Sequence, residues 1–150
     1  MKDSQKFLSF MVGSESFAVP LLKVREVIGM PEVTAIPQAP AHVVGIINLR
    51  GQIITIFDLR SRLGSGTKGE QPTVIICEMP FGQMGMIVDM VSSVLSAEAE
   101  QISEVPPGSR AANHDFITNI YSQDDELILM LDVEKVIGRD IKVTQAASAA

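Results

Sequence analysis

Apolar and polar positions alternate in short runs along most of the chain, and turn residues separate these runs. Near the start, the runs KFLSFMV and FAVP flank the turn GSES at 13–16, which predicts a β-hairpin. The next run, LLKVREVI at 21–28, is ambiguous. Pro20 before it favours a helical turn, whereas Val24, Val27 and Ile28 favour a strand, so we interpret it as a helical turn followed by a strand.

Residues 45–60 read GIINLRGQIITIFDLR, with two apolar strands predicted at 46–49 and 52–58. Between them, Gly51 permits a positive φ and therefore a tight turn, which places Arg50 at the tip of a short, stiff connection. A guanidinium presented in this way offers five donors in a fixed geometry. The alternative is an exposed arginine that only solubilises the turn.

The segments on either side of this hairpin are predicted to be loops and short helical turns. Three prolines between 31 and 40 break regular structure, and APAHVVG, which begins at Ala39, can hold one helical turn. After the hairpin, LRSRLG predicts a helical turn closed by Gly64.

Two apolar runs in the second half, PTVIICEM at 72–79 and MGMIVDMVSSVLS at 84–96, are nearly continuous. Such runs predict strands that are buried on both faces or lie in a closed barrel, and the second has room for a bend between Asp89 and Ser92. Its methionines, which we expect to share one strand face and fill the core, are Met84, Met86 and Met90.

The last third predicts a hairpin followed by a short helix. FITNIYS and ELILMLD pair across residues 123–125, and Asp132 is placed to cap a helix that ends at Gly138. The end of the chain, TQAASAA, has nothing to bury, and residues 139–150 are predicted to form a flexible tail.

The loop GSGTKG at 64–69 matches the phosphate-binding pattern G-x-G-x-x-G. That chemistry requires a helix to open directly after the loop, but Glu70-Gln71-Pro72 and a strand follow. We therefore interpret the loop as a flexible connector at the boundary between two halves.

Charge and composition exclude several classes of protein. The formal net charge is −6 and the 12 Lys and Arg residues form no basic run, which argues against nucleic acid and favours a protein partner. Cys77 is the only cysteine, so no intramolecular disulfide can form. No run reaches the ~20 apolar residues that span a bilayer. We predict a soluble, cytoplasmic protein without membrane insertion.

Catalytic and metal-binding patterns are weak. His42 and His114 are far apart, and Cys77 lies inside an apolar strand, so neither a metal site nor a cofactor site is predicted. The aspartates that follow apolar strands, a place where acids more often cap turns than catalyse reactions, are Asp58, Asp89 and Asp132.

Several blocks, in order from about Lys6 to Gly138, resemble the CheW family of bacterial chemotaxis coupling proteins. The most characteristic is GIINLRGQIITIFDLR, and Thr55 in it stands where many members have proline. The other blocks are FAVPLLKVREVI, AIPQAPAHVVGIINLRG, MGMIVDMVSSVL, FITNI and ELILMLDVEKVI.

The resemblance implies an all-β fold: a single CheW-like domain over 1–150, with two packed five-stranded SH3-like β-barrel subdomains and a short C-terminal helix. The approximate subdomains are 14–64 and 70–138, with the chain termini crossing between them.

The resemblance also implies a function, that of a non-enzymatic adaptor without a cofactor. Such an adaptor binds the cytoplasmic tip of methyl-accepting chemotaxis receptors and the regulatory domain of the CheA histidine kinase, and so associates with membrane-anchored arrays through protein contacts. Three alternatives remain open: an adaptor of another chemosensory pathway, such as type IV pilus motility, a small nucleic-acid-binding barrel, and an enzyme using Asp58, Asp89 or Cys77.

Five residues carry the receptor-binding role that the resemblance implies. Arg50 is the receptor-facing cation, Gly51 and Gly45 fix the backbone around it, and Glu26 is the second polar contributor, with Val24 beside it on the same face. Structural alternatives remain for three of them: Gly45 can serve close packing, Val24 the core, and Glu26 only a solvated strand. Kinase contacts are expected to be apolar patches at barrel ends.

Overall fold

The computed structural model describes residues 5–39, 42–63, 72–80, 82–106 and 116–136. Short helical segments lie at Leu21–Lys23 and Ala99–Gln101 (both 3₁₀), at Leu59–Arg62 (α1) and at 133–136 (α2). The strands are β1 (Gln5–Val12), β2 (Glu15–Pro20), β3 (Val24–Gly29), β4 (Val43–Leu49), β5 (Gln52–Asp58), β6 (Thr73–Met79), β7 (Gly82–Val88), β8 (Met90–Ala97), β9 (Ile102–Ser103), β10 (Ile117–Gln123) and β11 (Glu126–Leu131).

These strands form two sheets, which confirms the all-β prediction. The central sheet has five strands in the order β3-β6-β7-β5-β4, all from the middle of the chain. The terminal sheet has six strands in the order β8-β1-β2-β11-β10-β9, drawn from both ends of the chain. Within the part of the chain described, no helix is long and apolar enough to cross a membrane.

The central sheet curls until its two edges meet. Thr34, which follows edge strand β3, forms a β-bridge with Ile46 of the opposite edge strand, β4. Each residue donates its N–H to the carbonyl of the other, at N···O distances of 2.8 and 2.9 Å. These bonds pair the backbone groups of β4 and close the sheet into a small barrel.

Among the residues that the structure describes, three hydrophobic clusters stabilise the two sheets, and the alternation of side chains along the strands explains them. In β6, Val74 and Ile76 belong to a cluster inside the central sheet, whereas Ile75 and Cys77 belong to the cluster shared by both sheets. A third cluster, around Tyr121, lies within the terminal sheet. β6 is therefore apolar on both faces, as its continuous run predicts.

The run 84–96 is not one bent strand but two strands in different sheets. Its first part, within β7, belongs to the central sheet, and β8 belongs to the terminal sheet, with Asp89 between them. Met84 and Met86 are buried in the shared cluster, as predicted, but Met90 is 52% exposed because it lies beyond the break. The expectation that all three methionines fill the core is wrong for Met90.

Most local predictions are confirmed. The run 21–28 is a 3₁₀ turn followed by β3, and the N–H of Lys135 donates to Oδ1 of Asp132 at 3.2 Å, which caps α2. β4 begins at Val43, earlier than the predicted strand at 46–49.

Hydrogen bonding groups the strands across the predicted subdomains, 14–64 and 70–138, because β6 and β7 pair with strands of the first half. The division of the chain into two subdomains therefore stays a prediction. The connector at 64–69, the predicted tail and part of the helical turn in APAHVVG lie outside the described residues.

Candidate functional site

Arg50 and Gly51 form a two-residue turn between β4 and β5. Both have positive φ, 51° for Arg50 and 87° for Gly51, as in the type I′ turns that match the twist of a hairpin. The N–H of Gly51 donates to Oδ1 of Asn48 at 2.9 Å, which ties the turn to β4. A left-handed conformation is uncommon for arginine, so this turn holds a large cation at a strained position.

The structure brings Arg50 together with Glu26, a second predicted site residue. Nη2 of Arg50 donates to Oε1 of Glu26 in an ion pair that joins the hairpin tip to β3. The side chain of Arg50 is 69% exposed and that of Glu26 is 28% exposed. The pair therefore presents one positive and one negative group at a barrel end, with the cation facing solvent.

Val24 does not share a face with Glu26, contrary to the expectation from strand alternation. The pairing of β3 with β6 shifts register between these residues, so that Val24 lies opposite Cys77 and Glu26 lies opposite Ile76. Opposed residues of an antiparallel pair share a face, and the bulge at Arg25 therefore turns Val24 toward the shared cluster, against which it packs. Glu26 lies instead on the inner side of the central sheet, at its end.

Gly45 is buried beneath the segment that closes the barrel. A Cβ atom at this position would lie 2.1 Å from the carbonyl oxygen of Thr34 and 2.8 Å from Cγ1 of Val33. The absence of a side chain is thus what allows the Thr34–Ile46 bridge to form. The structure thus gives Gly45 a backbone role, and its part in receptor binding stays a prediction.

Two exposed apolar side chains lie on the strands that adjoin the ion pair. Ile53 lies opposite Asn48 on the outer face of the hairpin and is exposed, and Val27 next to Glu26 is also exposed. These residues were missed in the sequence because exposed and buried strand positions carry the same aliphatic side chains. Exposed apolar side chains on these strands are available to a protein partner, since interfaces combine apolar and polar groups.

A second apolar surface lies where the chain passes from β2 to β3. Leu22 in the 3₁₀ turn is 97% exposed, although leucine is normally buried. It borders a groove of about 320 Å³ lined by Gln5, Lys6, Phe7, Pro20, Leu21 and Leu22. The sequence led us to expect that kinase contacts are apolar patches at barrel ends, without naming their residues, and that expectation stays a prediction.

Asp58 and Asp89 belong to a half-buried network around Arg60. Oδ1 of Asp58 accepts the N–H of Arg60 at 3.0 Å and so caps α1, as expected for an acid after a strand. Nη1 of Arg60 lies 3.5 Å from Oδ1 of Asp89. Burial lowers the pKa of Arg60, but its hydrogen bond to Asp58 and the charges of Asp58 and Asp89 outweigh this effect and raise the pKa overall.

Cys77 and His42, which could in principle take part in catalysis or metal binding, are packed against other residues of the protein. Cys77 is buried, and burial raises the pKa of its thiol to about 12, so that the reactive thiolate is disfavoured. The ring of His42 packs against Phe57 with the centroids 5.7 Å apart, and His114 lies outside the described residues. No group of three potential metal ligands occurs in the described ranges.

Comparisons with known proteins identify the family. A family model described as CheW-like domain matches residues 6–140. The chemotaxis protein CheW of Klebsiella aerogenes is 35% identical over 139 residues, which cover 91% of this chain and 83% of that protein. The probable chemotaxis protein CheW of Rhizobium etli is 33% identical over 134 residues, covering 87% and 85%. The crystal structure of the scaffolding protein TtCheW from Thermoanaerobacter tengcongensis matches with a TM-score of 0.77 at 32% identity, covering 87% of this chain and 90% of that one. The chain therefore belongs to the CheW family, which its sequence blocks resemble.

Proposed function

We propose that this protein is a non-enzymatic adaptor that couples methyl-accepting chemoreceptors to the CheA histidine kinase in signalling arrays. The observation that carries the proposal is the exposed Arg50–Glu26 pair, held on a two-residue turn of a chain that belongs to the CheW family. Family membership supplies the class of partner, and the pair supplies a preformed polar contact. Relay of receptor state to the kinase then requires contacts that differ between two signalling states, and no covalent step.

The receptor contact is assigned to the surface around Arg50. Its guanidinium donates to Glu26 while most of the side chain faces solvent, so further donors can bind a carboxylate on a receptor helix. Glu26 and Asn48 restrict the pair and the turn beneath it, which lowers the entropy lost on binding. Val24 contributes by holding β3 against the shared core, and Gly45 and Gly51 by fixing the backbone.

The kinase contact is assigned to the apolar surface at Leu22. This leucine and the groove beside it lie just before the first residue of β3, where the chain passes from the terminal sheet to the central sheet. An apolar patch of this kind suits a barrel-like regulatory domain, since the fully buried core of an interface is enriched in apolar side chains. Leu22 is the anchor in this proposal.

The test of the receptor assignment is co-sedimentation with receptor tip fragments and with the kinase, comparing the wild type with Arg50→Glu. We expect receptor binding to weaken by ~2 kcal/mol or more, as for a central charged anchor, while kinase binding stays unchanged. Lys135→Glu is the matched control, because this exposed lysine on α2 undergoes the same charge change away from the site. Unchanged receptor binding of Arg50→Glu would contradict the role of Arg50.

A further inference from the structure

The chain changes from one sheet to the other after β2 and again after β7. It leaves the terminal sheet after β2, through the 3₁₀ turn Leu21–Lys23, and enters the central sheet at β3. It returns at Asp89, which is the one residue between β7 and β8. Asp89 thus lies at the junction where the orientation of one sheet relative to the other is set.

The carboxylate of Asp89 is held by both sheets through different oxygens. Oδ2 accepts the N–H of Gly13, in the turn between β1 and β2 of the terminal sheet, at 2.6 Å. Oδ1 pairs with Nη1 of Arg60 at 3.5 Å, on α1, which directly follows β5 of the central sheet. The N–H of Asp89 also donates to the carbonyl of Met11 at 3.0 Å.

Arg60 is itself fixed by the strand that precedes it. Its Nε and Nη2 donate to the two carboxylate oxygens of Asp58, at 3.1 and 3.4 Å. The side chains of Arg60 and Asp89 are only 15% and 9% exposed, so solvent screens this pair far less than an exposed one. The raised pKa of Arg60 is in accord with this environment.

One strand connects this network to the candidate receptor site. β5 begins directly after the Arg50-Gly51 turn and ends at Asp58, and its residues 52–57 pair with β4 while residues 55–58 pair with β7. Every residue of β5 is paired with at least one neighbouring strand, and this pairing stiffens the strand, so a displacement at the turn is transmitted to Asp58. The network therefore lies between the receptor surface and the terminal sheet.

We infer that Arg60 and Asp89 are positioning residues that fix the terminal sheet relative to the central sheet, and that receptor-to-kinase coupling depends on this orientation. The first statement concerns the free protein. The second rests on the proposed function, because it requires a receptor and a kinase that bind at separate surfaces.

The positioning role is tested by measuring the distance between two spin labels, one on each sheet. Glu78→Cys on β6 and Ser96→Cys on β8 are exposed labelling sites, in a Cys77→Ala background that removes the native thiol. We expect a narrow distance distribution in the parent and at least a twofold broader one in Arg60→Gln. Arg60→Lys keeps the positive charge but lacks the several N–H donors of the guanidinium, and it should give a distance distribution of intermediate width.

Two further variants complete this test. Arg25→Gln changes an exposed arginine of the same sheet and should leave the distribution narrow. Asp89→Asn keeps the size of the side chain and should broaden the distribution, and it serves as the deciding variant if Arg60→Gln does not fold. A distribution in the deciding variant that is as narrow as in the parent would overturn the positioning role.

Coupling is tested with receptor fragments, kinase and each variant by following autophosphorylation of the kinase. We expect Arg60→Gln to bind each isolated partner within twofold of the wild type and to lower receptor-dependent kinase activation at least fivefold. Full activation despite a broad distribution would overturn the coupling statement. A wild-type protein that binds neither partner would instead contradict the proposed function, and the label distances would still decide the positioning role.

Discussion

Arg50 and Glu26 come from opposite edges of one sheet and meet in an ion pair because the sheet closes on itself. Glu26 lies on edge strand β3, and Arg50 lies at the end of edge strand β4, with three strands between them in the hydrogen-bonded order. The Thr34–Ile46 bridge joins the same two edges elsewhere. The geometry of the pair is therefore a property of the closed barrel.

Replacing Glu26 should affect binding more than stability. Because the cation of the pair is largely solvated, Glu26→Gln is expected to lower the free energy of unfolding by less than about 1 kcal/mol. Receptor binding should weaken, since the guanidinium loses the group that orients it. Urea unfolding and co-sedimentation measure the two effects, with the exposed Glu32→Gln as control. A stability loss above about 2 kcal/mol would show that the pair holds the barrel closed.

Arg50→Asn should make the protein more stable and less able to bind receptors. Asparagine tolerates the left-handed φ of this position and forms the preferred Asn-Gly type I′ turn. We expect the free energy of unfolding to rise by about 0.5–1 kcal/mol, from relief of strain. Thermal unfolding measures this change. A decrease in stability would contradict the statement that Arg50 is strained.

Gly45→Ala should destabilise the fold because the added methyl group meets the carbonyl oxygen of Thr34. Backbone atoms cannot rotate away, so we expect a loss of about 1–3 kcal/mol, typical of overpacking, or more. Gly29→Ala is the matched control, since a Cβ there meets nothing within 4 Å. Urea unfolding of both variants measures the difference. Equal stabilities would exclude the close-approach role of Gly45.

Leu22→Asp should weaken kinase binding strongly without unfolding the protein. The side chain is almost fully exposed, so its loss removes little buried area, whereas an interface anchor contributes about 2 kcal/mol or more. Leu127→Asp, at another exposed leucine, is the control for a new negative charge. Kinase binding is measured by co-sedimentation. If both variants bind the kinase like the wild type, Leu22 is not its contact.

The thiol of Cys77 should make stability depend on alkaline pH. Burial raises its pKa from 9.0 to about 12, so the folded state retains a proton that the unfolded state loses. This contribution is complete below pH 9 and is lost as the pH rises toward 12. In that range the free energy of unfolding should fall by about 1.4 kcal/mol per pH unit more steeply in the wild type than in Cys77→Ala. Parallel curves from urea unfolding would contradict this prediction.

The hairpins and the turn at Arg50 could be predicted because their signals are local. Arg50-Gly51 between two apolar strands specifies a tight turn, and Asp58 and Asp132 are common helix caps. The face of Val24 could not be predicted, since the bulge at Arg25 arises from pairing with a strand about fifty positions away.

The passage of the chain at Asp89 was also missed, for a related reason. An apolar run with a single polar residue predicts a bend as readily as a change of sheet, and only pairing with β1 distinguishes the two. The exposure of Leu22 could not be predicted from the sequence either, because it depends on which segments pack around the 3₁₀ turn. Each of these features is set by contacts between distant segments.

The pairing in the terminal sheet also affects the order in which the protein folds during its synthesis on the ribosome. Its middle pairing joins β2, near the start of the chain, to β11, near residue 130, with Phe17 opposite Leu129. Such long-range contacts form slowly because a large loop must close first. The central sheet can assemble once residue 88 has left the ribosome, because β7 is its last strand along the chain. Until β11 has been synthesised, the N-terminal hairpin lacks this partner strand and its apolar side chains remain exposed. We expect this hairpin to be the segment that chaperones meet during synthesis.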